Sequence, residues 1–308
     1  MRSVSVAVLG VLAVCGGAAP AWAQAQPVVG VRAAGMGGAF TGVADDASAV
    51  YWNPAGLASG AFFGLTLDRN WVTKPGDGSL PVDRSAFLLA MGTPPFGLTY
   101  YRLTTIAVPE PSTTKPQLLP SAVEFTTHHV GATVLHSLRS GLAIGGTAKL
   151  VHGETPILDE NKFDADLGIM LSGAAGRLGL VARNVTEPTF RAQAGEVRLQ
   201  RQIRMGMSLH LMQAMTLAFD TDFTKATTLR GQYRDAAIGA ESRLLKRVWA
   251  RGGIHWNTAG GESLGGAAPI GSVGTSVAVY GSVTADAQYS FGSRNGDKSW
   301  GVGLRIVF

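Results

Sequence analysis

Along most of the chain apolar and polar residues alternate one by one. Phe163, Ala165, Leu167, Ile169 and Leu171 fall on one face of an extended segment, with Asp164, Asp166 and Gly168 on the other. Leu217, Phe219, Thr221 and Phe223 oppose Thr216, Ala218, Asp220 and Asp222 in the same way. The last residues set Trp300, Val302, Leu304, Ile306 and Phe308 against Ser299, Gly301, Gly303, Arg305 and Val307. A period of two means strands with two unlike faces. The pattern predicts about fourteen of them, at 61–73, 83–92, 95–104, 123–138, 141–153, 162–173, 177–184, 201–212, 215–224, 232–245, 248–257, 270–279, 282–291 and 299–308. Each is near the ~9–11 residues that a tilted strand needs to cross a bilayer.

The connections carry a second signal. Short turns at 92–94, 139–140, 174–176, 213–214, 246–247 and 280–281 alternate with longer polar links at 74–82, 105–122, 154–161, 185–200, 225–231, 258–269 and 292–298. Transmembrane barrels have short periplasmic turns and longer outer loops, so an even strand number leaves both chain ends on the periplasmic side. A soluble β-sandwich also alternates, but has no need of such a strict rhythm of links.

Composition agrees with a membrane barrel: 15% of residues are charged and 41 are glycine, an unusual balance for a soluble enzyme. No stretch after the N-terminal leader holds ~18 consecutive apolar residues, so only strands could span. Residues 1–23, with Arg2, an apolar run over 4–14 and a Pro-Ala-Trp-Ala ending at Ala23, read as a secretory signal peptide. Leu12-Ala13-Val14-Cys15 has the outline of a lipoprotein box, but Val14 is large for that site and Ala21-x-Ala23 serves better. With Cys15 removed, no cysteine remains for a disulfide or thiolate metal site. The net charge of +5 is scattered, which points to interfacial and lumenal charge rather than a nucleic-acid face.

One stretch breaks the pattern. Residues 30–57 are too rich in Gly and Ala for a transmembrane strand, and read as a compact cap before the barrel. Asp45 or Asp46 is placed to cap a short helical turn over 47–51, which Asn53-Pro54 ends. The run Gly35-Met36-Gly37-Gly38-Ala39-Phe40, then Ala44-Asp45-Asp46-Ala47-Ser48, then Asn53-Pro54-Ala55-Gly56-Leu57, resembles the N-terminal signature of FadL-like and PorV/PorQ-like outer-membrane proteins. Later segments, Asp166-Leu167-Gly168, residues 181–188 and residues 201–206, resemble the PorV-type branch more. The resemblance implies an all-β transmembrane antiparallel barrel at 61–308, with 24–60 as a hatch folded into its lumen. It also implies one of two roles in the outer membrane: passage of a small hydrophobic molecule, or a non-transporting accessory that holds secreted proteins at the surface.

Projected inward, the alternation makes Lys149, Asp164, Asp166, Arg183, Arg204, Asp220, Asp222, Asp235, Glu241, Arg243, Arg251, His255, Asp286 and Arg305 lumenal candidates. Both signs are present, so they are expected to pair across the lumen and hold the hatch, with Asp45 and Asp46 meeting Arg204, Arg251 or Arg305. Asp220 and Asp222 share a face, as two ligands of a hard cation would, but nothing supplies six oxygens. His128 and His129 point to opposite faces and cannot share a metal. No nucleotide loop or catalytic constellation is selected by spacing, so no cofactor and no enzyme activity are expected. Trp71, Trp249, Trp256 and Trp300, with Tyr100, Tyr101 and Tyr289, fit aromatic girdles, and Trp249 would meet a ligand only by facing inward. Gly303, Ile306 and Phe308 resemble the C-terminal signal of the barrel-assembly machinery, with Gly301 where a polar residue is usual. Expected partners are therefore that machinery, outer-membrane lipid and lipopolysaccharide, and a small hydrophobic ligand or a secreted protein.

Overall fold

A computed structural model describes residues 28–73, 84–107, 110–111, 123–139, 141–155, 158–192, 195–211, 214–228, 231–259, 269–292 and 298–308. The proposed leader, the link at 74–82 and most of the links at 105–122 and 258–269 lie outside them. Fourteen strands form one closed barrel. They begin with β1 (Gly64–Val72), β2 (Ser85–Thr93), β3 (Phe96–Ala107), β4 (Val123–Arg139), β5 (Leu142–Glu154), β6 (Asp159–Ser172) and β7 (Gly176–Arg183). The second half is β8 (Gln202–Leu211), β9 (Met215–Asp222), β10 (Asp235–Leu245), β11 (Val248–Asn257), β12 (Ile270–Tyr280), β13 (Val283–Phe291) and β14 (Ser299–Val307).

Each strand pairs antiparallel with its chain neighbours, and β14 closes on β1 from Gly64↔Val307 to Val72↔Ser299. Closure leaves no edge for another chain to extend. The alternation sorts the faces as expected. Leu304, Leu67, Leu89, Tyr100, Val130, Leu150 and Phe163 make one cross-strand row on the outside. The opposite face carries Thr66, Asp68, Lys149, Asp164, Asp166, Arg204, Asp220 and Asp286, all buried.

Three of the longer polar links carry strands of their own. Glu110–Pro111, Gly195–Arg198 and Thr189–Ala192 make a three-stranded sheet, and Ala226–Thr228 pairs with Gly231–Tyr233. The first sheet exists because Phe190 and Val197, opposite each other in register, have an apolar place to go. They bury against Phe125 and Val151 of the barrel wall, inside the loop-side mouth. The Phe125 and Phe190 rings lie 5.3 Å apart.

Residues 28–60 are folded inside the barrel. α1 (Val31–Gly35) and α2 (Ala49–Trp52) are single turns, followed by a 3₁₀ helix at Pro54–Ser59. The turn expected over 47–51 begins slightly later, because Asp46 does not cap it directly. Its Oδ1 accepts from Ser48 N (2.9 Å) and Ser48 Oγ (2.5 Å), folding the chain into the helix. Asn53, extended at φ −162°, ends α2 and accepts from Ala55 N at 3.2 Å to start the 3₁₀ helix, where Pro54 needs no donor. Met36, Phe40, Val50 and Leu57 are fully buried, packed against Ala86, Leu88, Ala90, Ala218 and Ala237 of the wall. Backbone meets backbone in places: a Cβ on Gly37 (φ +66°) would sit 2.7 Å from Ile254 N.

Candidate functional site

The lumen is held by charge. Arg204 on β8 is the hub nearest the glycine run. Its Nε donates to Asp220 Oδ2 at 2.9 Å, and its Nη1 to Asp222 Oδ1 at 3.1 Å and Asp235 Oδ2 at 3.0 Å. Its Nη2 reaches across to the carbonyl of Gly38 at 3.0 Å. Asp220 Oδ2 also accepts from the backbone N–H of Phe40 (3.2 Å) and Thr41 (2.9 Å). Hatch backbone is thus bound by a buried ion pair, which gives each partly desolvated group a charge-assisted bond. Arg204 sits where a cation between Asp220 and Asp222 would have to lie.

A second hub was missed by the sequence reading: Arg32 of α1. Its Nη1 donates to Asp45 (2.5 Å) and Asp46 (3.0 Å), so the hatch is cross-linked to itself. Its Nε and Nη2 form a fork to Glu241 on β10 at 2.9 and 2.7 Å. Glu241 also accepts from Arg251, and Arg251 pairs with Asp286 at 3.3 Å. Arg305 joins the chain through Asp286 (2.6 Å) and Asp46 (3.6 Å). Of the three arginines expected to meet the hatch carboxylates, only Arg305 does so. Arg204 takes a hatch carbonyl and Arg251 stays within the wall, because Arg32 occupies the space between Asp46 and Glu241. Burial pushes the Asp46 carboxyl up, but Arg32 and Arg305 outweigh it and hold the group below its ordinary range.

The first strand supplies a third anchor. Asp68 Oδ2 accepts from Val31 N at 2.9 Å, and Asn70 Nδ2 donates to the Val28 carbonyl at 2.8 Å. Their side chains lean over β14 at Gly303 and Gly301, where a Cβ would come within 1.8 Å of Asp68 Oδ1 and Asn70 Oδ1 respectively. Gly301 is thus a notch for Asn70. Asn53-Pro54-Ala55 has matching notches in Gly145 and Gly168, whose added Cβ atoms would lie 2.6 Å from Ala55 N and 2.2 Å from Asn53 Oδ1. Gly56 fits against Ala44 O, which its own Cβ would approach to 2.2 Å.

Lys149, Asp164 and Asp166 form a separate buried group, with ion pairs of 2.9 and 2.7 Å. Asp164 turns to Thr186 in the link after β7 rather than to the hatch. Arg183 lies over the Tyr51 ring at 4.6 Å. Two expectations need correcting. Arg243 has inward parity but sits exposed at the turn-side rim, donating to the Lys246 carbonyl at 2.7 Å and lying over Trp249, which shares that parity. Tyr101 is not in an outer girdle; it faces inward, buried, stacked on His129 at 4.1 Å between centroids. Parity separates the faces of a strand, but says nothing of depth.

Searches with family models and against curated proteins match nothing. Among solved structures, the CymD monoaromatic hydrocarbon channel superposes with a TM-score of 0.66 at 14% identity, covering 93% of this chain and 99% of that one. The toluene transporter TodX of Pseudomonas putida gives 0.60 at 10% identity, with 94% and 98% covered. A TodX variant, the deltaS2S3 mutant, gives 0.62 at 11% identity over 90% and 96%. The fold is the one these channels share.

Proposed function

We propose that this chain is a FadL-like outer-membrane channel for small hydrophobic molecules, with residues 30–57 as its plug. The observation that carries the reading is the combination of this fold, nearly whole-length in its likeness to two aromatic-hydrocarbon channels, with a lumen filled by a hydrogen-bonded segment. About fourteen strands enclose more space than their inward side chains fill, so a filling segment is needed unless the lumen holds water. The PorV-type alternative draws no support from these neighbours.

The test is permeation. In cells whose outer membrane limits entry, the wild-type chain should speed uptake of a monoaromatic probe over a vector control, while conducting ions poorly in planar bilayers. Deleting residues 30–57 should open it to ions. A deletion that inserts normally yet conducts no better than wild type would reject the plug. Unchanged uptake, with a stoichiometric protein co-purifying from detergent instead of a lipid-like ligand, would turn the reading to the accessory role.

A further inference from the structure

Not every outward-facing row is apolar. One step toward the loops from the Leu67 row, the register aligns Arg69, Phe87, Arg102, His128 and His152 across β1 to β5. All five are half-buried. The row has an aromatic neighbour on its loop side: Trp71 stacks on Trp300 at 4.2 Å, and the Arg69 guanidinium lies over Trp71 at 5.4 Å. Such aromatics mark the depth of the headgroups.

The two ends of this row differ. His128 and His152 share Glu154, whose Oε1 lies 3.5 and 3.4 Å from their Nε2 atoms, and Asp159 is 4.0 Å from His152. Tyr100 and Asn161 hydrogen-bond the remaining histidine nitrogens. Arg69 and Arg102 have no such arrangement. Among the described residues no carboxylate lies within ion-pair distance of either, and Arg69 Nε is buried without a hydrogen-bond partner. They stand two strands apart, a separation of about 10 Å between backbones. Two like charges this close, above a lipid-facing apolar row and with no carboxylate of the described residues beside them, suit an anion from outside the chain. Arginine forks match phosphate oxygens in geometry as well as charge.

We propose that Arg69 and Arg102 form a binding site for a phosphate of lipopolysaccharide in the outer leaflet, with Phe87 between them against its acyl chains. The site rests on the outer-membrane reading, which puts the loop side of the barrel in that leaflet. It places a fixed lipid over β1 to β3.

The test uses purified protein in uncharged detergent. Retention of lipopolysaccharide is compared with that of the same lipid stripped of its phosphates, by native mass spectrometry. Wild type should retain the phosphorylated form at least about tenfold better, a difference of ~1.4 kcal/mol, and added salt should erode it. The double variant Arg69→Gln, Arg102→Gln should lose that preference, and Arg102→Gln alone should lose part of it. Arg201→Gln, at a residue already paired with Glu187, should keep it. Equal retention of the two lipids by wild type, or an undiminished preference in the double variant, would overturn the proposal. So would equal retention of an anionic phospholipid. Heat-modifiable migration checks that each variant is a closed barrel. Hydrocarbon uptake plays no part in the readout, so failure here and failure of the transport reading are separable.

Discussion

Replacing Arg32 by Ala should loosen the hatch while leaving the barrel intact. Arg32 is buried and serves three carboxylates: Asp45 and Asp46 within the hatch, and Glu241 in the wall. Removing one partner of a buried ion pair costs ~3–5 kcal/mol, because the other charge is left uncompensated. Here each carboxylate keeps a second cation. Glu241 retains Arg251, Asp46 retains Arg305 at 3.6 Å, and Asp45 retains Arg177 at 3.5 Å. The lower end, about 3 kcal/mol, is therefore the appropriate figure. It corresponds to a rise of roughly two orders of magnitude in the undocked population. No strand ladder is touched, so the folded band on unheated gels should persist. Single-channel recording in planar bilayers should show brief openings about a hundredfold more often than wild type. Arg32→Lys should fall between, since a single ammonium keeps the charge but loses the fork to Glu241. If Arg32→Ala assembles fully and opens no more often than wild type, the pairing does not hold the hatch.

In Gly303→Ala the new Cβ would displace Asp68 from Val31 N. Openings should rise up to about tenfold, for the loss of one buried hydrogen bond worth ~0.5–1.5 kcal/mol, and Asp68→Ala should make the second substitution silent. The pH dependence follows from Asp46, whose carboxyl is depressed below its ordinary 3.8 when docked. Its contribution is complete above 3.8 and is lost as pH falls through the docked value, so the excess of openings in Asp46→Asn over wild type should stay constant from pH 7 to 5 and shrink only once the pH falls below 3.8. Deleting Phe308 removes a reciprocal pair of backbone bonds with Phe63 (2.9 and 3.3 Å) and a ring contact, and should lower the yield of heat-modifiable barrel in outer-membrane fractions.

The strands were legible because a two-residue period is a direct consequence of having one wet and one greasy face, and a slip of one residue would invert every side chain. Asp164, Asp166, Arg204, Asp220, Asp222, Glu241, Arg251 and Arg305 lie on the strand faces whose side chains are buried and paired. Their partners were not legible. Which arginine meets Asp46 depends on the path of a segment without periodicity, and Arg32 gave no signal beyond being a cation in a run of small residues. Tyr101 and Arg243 show the limit in another way, since one strand face runs from a dry lumen to an open rim. The Phe190 hairpin lay hidden in a polar link because only two of its residues are apolar enough to need cover.

The notches in β14 bear on the order in which the molecule is made. Asp68 and Asn70 hold the hatch on one side and fit against Gly303 and Gly301 on the other, so the seam of the wall and the seat of its contents are the same few atoms. The hatch is synthesised before β14. A wall that closed early would trap a carboxylate beside its own glycine with no N–H to receive, and would have to admit a folded segment afterwards through a mouth. Closing last, around a segment already in place, avoids both, and makes the final strand a check on the filling as well as the hoop that binds the staves.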